Sequence, residues 1–166
     1  MPASAPEVVY EDQDLQLATW SRVFINRWRT AATAPQLVRL HRHQRALIDA
    51  VGDHRIAVLT VLEDRSGLMP SSEAREQARR IALDTRDAIF VQAQVVEGDG
   101  FVSATFRALL AGVMLAVRAP YPFRVFRSVT EALPWLEEHL EQAGYLADAR
   151  GVVESVQELY RPPRVA

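Results

Sequence analysis

The residues able to do chemistry are few in kind. All 19 basic residues are arginine, so the chain has no Lys, and it has no Cys. Without Lys there is no Walker-type phosphate loop and no Schiff-base chemistry. Without Cys there is no thiol nucleophile, no disulfide and no thiolate metal site. Ser, Thr, His, Asp, Glu and Arg remain. His41 and His43 stand two apart, and on a helix such positions point about 200° from each other, too far to share a metal. His54 and His139 fall on other segments. A Ser-His-Asp hydrolase lacks its Gly-x-Ser-x-Gly elbow. Glu137, Glu138 and Glu141 read as one solvated helix face. Gly98-Asp99-Gly100 could turn backbone N–H groups toward an anion, but Glu97 and Asp99 would repel it and the third glycine of a dinucleotide fingerprint is missing. The turn therefore reads as a strand-to-helix connection. Neither catalysis, a cofactor nor a metal is expected.

The elements that must position these residues begin with a bulk argument. The chain of 166 residues is 49% hydrophobic and 24% charged, enough to build one core without staples. Its net charge of −2 argues against general nucleic-acid binding, which needs a basic face to displace counterions. Met1–Pro6 has neither the basic start nor the apolar core of a secretory signal. The longest apolar run, Ala108–Val117, is half of the roughly twenty residues a membrane-spanning helix needs. A cytoplasmic location is expected.

Residues 1–7 are expected to be a disordered tip, 8–145 the domain, and 146–166 a short terminal helix and tail. Three β-rich runs, Val8–Tyr10, Leu15–Thr19 and Val23–Trp28, predict an antiparallel meander. Thr33-Ala34-Pro35-Gln36 fits a capping box, and Leu37, Leu40, Leu47, Ile48 and Val51 follow at helical spacing, with Gly52 in the place of a C-terminal cap. Ile56–Leu62 is a continuous apolar run, as in a strand covered on both faces. A second helix is expected from Ser71 or Ser72, with Ala74, Ala78, Ile81, Ala82 and Thr85 inward. A strand over Ala88–Val96, a helix to Val117 and a strand over Phe123–Phe126 follow. Ser128-Val129-Thr130-Glu131 then opens a helix that ends near Gly144, and a last helix is expected within Asp148–Tyr160. The alternation predicts a single α/β domain with a mixed four- to six-stranded sheet and helices packed on it.

That order, together with Ile56–Leu62 leading into a short loop and Phe123-Arg124-Val125-Phe126 leading into Ser128-Val129-Thr130-Glu131-Ala132, resembles the STAS domain, the SpoIIAA-like fold of anti-sigma-factor antagonists. The resemblance spans roughly residues 15–144. Met69-Pro70-Ser71 to Arg75, and Val96-Glu97-Gly98 with Phe101, are similar to stand-alone bacterial members that are treated as regulatory or binding modules. In anti-sigma antagonists the loop after the central strand reads Asp-Ser-Ser-Gly-Leu, and its second Ser is phosphorylated. Here the loop reads Asp64-Arg65-Ser66-Gly67-Leu68: Asp64, Ser66, Gly67 and Leu68 match and Arg65 departs. The resemblance nominates Ser66 as phosphoacceptor and the loop through Ser71 and Ser72 as a partner contact. Pro70 departs as well, because it moves the helix start to Ser71 or Ser72 and leaves Ser66 upstream in the loop.

The third helix is the most unusual segment. Val102, Phe106, Leu109, Leu110, Val113 and Val117 form a large apolar face, and Ala104, Ala108, Gly112 and Ala116 form a stripe of small residues four apart. A helix with almost no polar face is either buried or an interface. Burial against its own sheet is the first expectation, a homodimer or partner contact the second, and a ligand groove the third. Trp20, Trp28 and Trp135 are expected in the core or at its rim. The reading is a non-enzymatic regulatory or protein-interaction module with a protein partner or a homodimer, without nucleic acid or a membrane span. The alternative is a carrier or sensor of an apolar small ligand or lipid in a Sec14-like groove.

Overall fold

The first turn is built by one carboxylate. Asp12 accepts hydrogen bonds from the N–H groups of Asp14 (2.7 Å) and Leu15 (2.8 Å) and from the Tyr10 hydroxyl (2.6 Å). This turn joins β1 (Glu7–Glu11) to β2 (Leu15–Trp20), and β3 (Val23–Trp28) completes the antiparallel meander. Trp20 donates to the Ser4 carbonyl (2.9 Å), which ties the chain ahead of β1 to the sheet. The computed structural model describes residues 4–63 and 70–161.

Helix α1 (Ala34–Ala50) starts at the expected capping box: the Thr33 hydroxyl accepts from Gln36 N–H, and the Gln36 side-chain Oε1 accepts from Thr33 N–H. Its end differs from expectation. The cap is Val51 in extended conformation, and Gly52 is not left-handed; His54 is, at φ +56°. The His54 ring Nδ1 lies 2.9 Å from the Ile48 carbonyl and takes up one of the loose acceptors that a glycine cap would otherwise serve.

Then come β4 (Ile56–Leu62), α2 (Ser72–Thr85), β5 (Ile89–Val96), α3 (Phe101–Val117), β6 (Phe123–Phe126) and α4 (Val129–Gln142). The chain closes with α5 (Leu146–Ala149) and α6 (Val152–Tyr160), where one helix is expected. Gly151, at φ +87°, makes the break, a conformation that costs any other residue about 1–2 kcal/mol. At α4, the Ser128 hydroxyl accepts from Glu131 N–H, but Glu131 reaches back to the Arg127 N–H rather than to Ser128. The box is therefore only half formed.

The sheet has six strands in sequential order; β1–β3 pair antiparallel and β3–β6 parallel. Because each parallel strand is laid beside the last, crossovers of one hand put α1, α2 and α3 on the same face. Strand alternation divides the core accordingly. Phe24, Ile56, Val58 and Ile89 pack under Leu37, Leu40, Ala74 and Ile81 of α1 and α2. Ile25, Ala57, Leu59 and Val95 face Leu133, Leu136, Leu140, Val152 and Val156 of α4 and α6. Trp20 and Trp28 are buried, and Trp135 packs at the rim.

Burial of α3 is not what the structure shows. None of its residues is buried: Phe101 is 87% exposed and Leu115 84%. Neighbouring strands lie about 4.8 Å apart but packed helix axes about 8–10 Å, so consecutive crossover helices on one face cannot all sit directly over their strands. Here α2 leans toward α1 and α3 toward β6, so a trough opens between them. For the same reason Ala78, expected inward on α2, is exposed.

Candidate functional site

The trough between α2 and α3 is a cleft of about 800 Å³, within the range of small-molecule sites. Leu37 and Leu40 of α1 close one end, and Ala78, Ile81 and Ala82 of α2 form one wall. Phe106, Leu109, Leu110, Val113 and Val117 of α3 form the other. The apolar face read from the sequence therefore lines a cavity instead of a core. The cleft runs along the whole of β5, from Ile89 to Val96.

Its floor carries a polar band. Asn26, Thr60 and Gln94 are register partners on β3, β4 and β5, and all three line the cleft. Asn26 is committed: its Nδ2 donates to the Thr60 hydroxyl (3.0 Å), and its Oδ1 accepts from the Trp28 indole (2.8 Å). The next row toward the strand starts holds Val58 and Gln92, and the next row toward the strand ends holds Leu62 and Val96. Gln92 accepts from the Tyr121 hydroxyl (3.2 Å), whose pKa burial raises, so this phenol stays a neutral donor. Gln94 is 8% exposed, and its side chain makes no hydrogen bond among the described residues. Gln44 of α1, 4% exposed, also lines the cleft, with a buried Oε1 that has no partner among the described residues. A buried polar group left unpaired costs about 1–3 kcal/mol.

Charge is confined to residues outside this band. Arg79 is held by Glu76, Glu63 by Arg27, and Arg86 lies near Asp87. Two arginines of Glu76's own helix, Arg79 first, hold its carboxyl down at about 2. Arg107, the one charged residue within α3, donates to the Val96 and Gly98 carbonyls (3.0 and 3.1 Å) and so fixes the β5–α3 turn. Gly98 and Gly100, at φ +107° and +123°, make that turn possible.

Of the residues nominated from sequence, Asp64, Ser66 and Gly67 lie outside the described residues. Ser71 is the N-cap of α2, accepting from Ala74 N–H (3.1 Å), and Ser72 is its first residue. Ala104, Ala108, Gly112 and Ala116 are exposed along α3, and a side chain at Gly112 would meet nothing within 4 Å. His41 pairs with Asp84 (2.8 Å), while His43 lies beside the Tyr10 ring. Among the described residues no three His, Asp or Glu groups gather as a metal site, and no helix is long and apolar enough to cross a membrane. The polar band is the feature that reading the sequence misses. Its signal is present as Gln92 and Gln94 at strand spacing within an apolar run, and as Thr60 within Ile56–Leu62.

Comparison with known proteins gives no match: no family model, no curated protein and no solved structure is similar to this chain.

Proposed function

We propose that this protein is a non-enzymatic binding module that holds an apolar small molecule in the cleft between α2 and α3, as a carrier or sensor. One observation carries the reading. A whole helix, α3, keeps an apolar face that its own fold does not bury, and that face lines a cleft of ligand size. Burying one such side chain stabilises by about 1.5–3 kcal/mol, so leaving several uncovered is unfavourable unless something occupies the space. The resemblance to STAS/SpoIIAA-like domains supports the same reading, since the related Sec14-like arrangement also forms a groove.

Titration with a neutral apolar fluorophore, N-phenyl-1-naphthylamine, tests it. One molecule should bind per chain, and Ala78→Trp, which fills the cleft from an exposed position, should weaken binding at least tenfold with an unchanged melting temperature. Equal binding by the variant, or none by the wild type, would contradict the reading.

A second reading, a regulatory module with a protein partner or a second copy, is favoured by the outward side of α3. There Leu115 and the small-residue stripe face solvent. Light scattering across a concentration series separates a homodimer from a monomer.

A further inference from the structure

We infer that the ligand of this cleft carries an uncharged group that both donates and accepts hydrogen bonds, a carboxamide or a hydroxyl, seated on Thr60 and Gln94. The inference rests on the binding reading above and names the chemical class of the ligand.

Three observations support it. First, the band has hydrogen-bonding capacity to spare. The Thr60 hydroxyl already accepts from Asn26 Nδ2, so its own proton remains to be donated. Gln94, its register partner on the next strand, is more than nine-tenths buried and has both a donor and an acceptor unused among the described residues. Neighbouring strands lie about 4.8 Å apart, so one small group can accept from Thr60 and exchange hydrogen bonds with Gln94.

Second, among the described residues the floor bears no charge. The described charged residues lining the cleft are Glu63, Arg75, Arg79, Arg86 and Glu97, of both signs and outside the band. An ionised head on the band would lose its hydration without an opposite charge facing it. Third, the rows beside the band are largely apolar: Val58 lies one row before it, next to a Gln92 whose oxygen is already taken by the Tyr121 hydroxyl, and Leu62 and Val96 lie one row beyond it. The polar group therefore sits within an otherwise apolar molecule's footprint. A neutral amphiphile satisfies all three conditions.

The test displaces N-phenyl-1-naphthylamine with ten-carbon competitors that differ only in the polar group: decanamide, 1-decanol, decane, and decanoate at pH 8. Decanamide and 1-decanol should compete about tenfold better than decane, with decanoate weakest. Gln94→Leu should abolish that preference while decane binds as before. Thr60→Val, nearly isosteric, should reduce it and guards against a folding defect in the first variant. Equal competition by decane and decanamide, stronger competition by decanoate, or a preference that survives both substitutions would overturn the inference and leave the cleft reading intact. Failure of every competitor to displace the bound fluorophore would overturn this inference, and failure of the fluorophore itself to bind would overturn the underlying reading as well.

Discussion

Asp53 shows how single residues lock the amino ends of β3 and β4. It lies in the α1–β4 loop, where it accepts a hydrogen bond from the Tyr145 hydroxyl (2.6 Å) and pairs with Arg22 (2.9 Å). Arg22 also pairs with Asp148 (2.9 Å) and lies 3.6 Å from the Tyr145 ring centre. The β2–β3 turn, the α1–β4 loop and the start of α5 are thereby joined. The Tyr145 hydrogen bond, then Arg22, lowers the Asp53 pKa from 3.8 to about 2. A depressed carboxyl pKa contributes stability above its unfolded value and loses it as pH falls through the folded value. Asp53→Asn should therefore lower stability at pH 7, and the gap to wild type should close between about pH 4 and pH 2. Because Asp53 is partly exposed and screened, the loss should be at most about 1 kcal/mol. Urea denaturation across pH checks this; a gap that widens on acidification would contradict it.

Among the helices, α3 and α4 both carry leucines at helical spacing, with opposite roles. Leu136 of α4 is fully buried between the sheet and α6, whereas Leu109 of α3 is 44% exposed at the cleft. Leu136→Ala should cost about 2–5 kcal/mol. Leu109→Ser should change stability by about 0.5 kcal/mol or less, yet weaken ligand binding. Thermal and chemical denaturation compare the two directly, and a large loss in Leu109→Ser would return α3 to the structural core. The same contrast explains what the sequence disclosed. The Thr33 box, the Ser71 cap and the apolar run Ile56–Leu62 are local patterns, so these elements and their order were legible. Hydrophobicity at helical spacing shows that a face avoids water; it does not say whether protein or ligand covers it. Where α3 leans is decided by its packing on β6 and by Arg107 gripping the preceding turn, neither of which has a local signature. The break near the C-terminus was hidden for a plainer reason: Gly151 alone separates α5 from α6, and a lone glycine also occurs within helices.

The molecule as a whole divides its sheet between two tasks. The face under α4, α5 and α6 is closed by a filled apolar core. The other face is closed by α1 and α2 over β2–β4 and left open between α2 and α3. Stability is thus concentrated on one side and an accessible, largely apolar cleft on the other, with the polar band of Asn26, Thr60 and Gln94 at its floor. The chain has neither Lys nor Cys, and among the described residues the floor of the cleft presents amides, a hydroxyl and hydrocarbon.

The tryptophans offer a direct measurement of where a ligand sits. Trp28 lines the cleft, whereas Trp20 and Trp135 belong to the opposite core. A ten-carbon alcohol brominated at its far end quenches an indole only on close approach. Titrated into the wild-type protein, it should quench part of the tryptophan emission saturably, and Trp28→Phe, checked for an unchanged fold by circular dichroism, should remove that quenching while the remaining emission stays constant. Absence of saturable quenching in the wild type, or quenching that persists in Trp28→Phe, would contradict the placement of a ligand between α2 and α3.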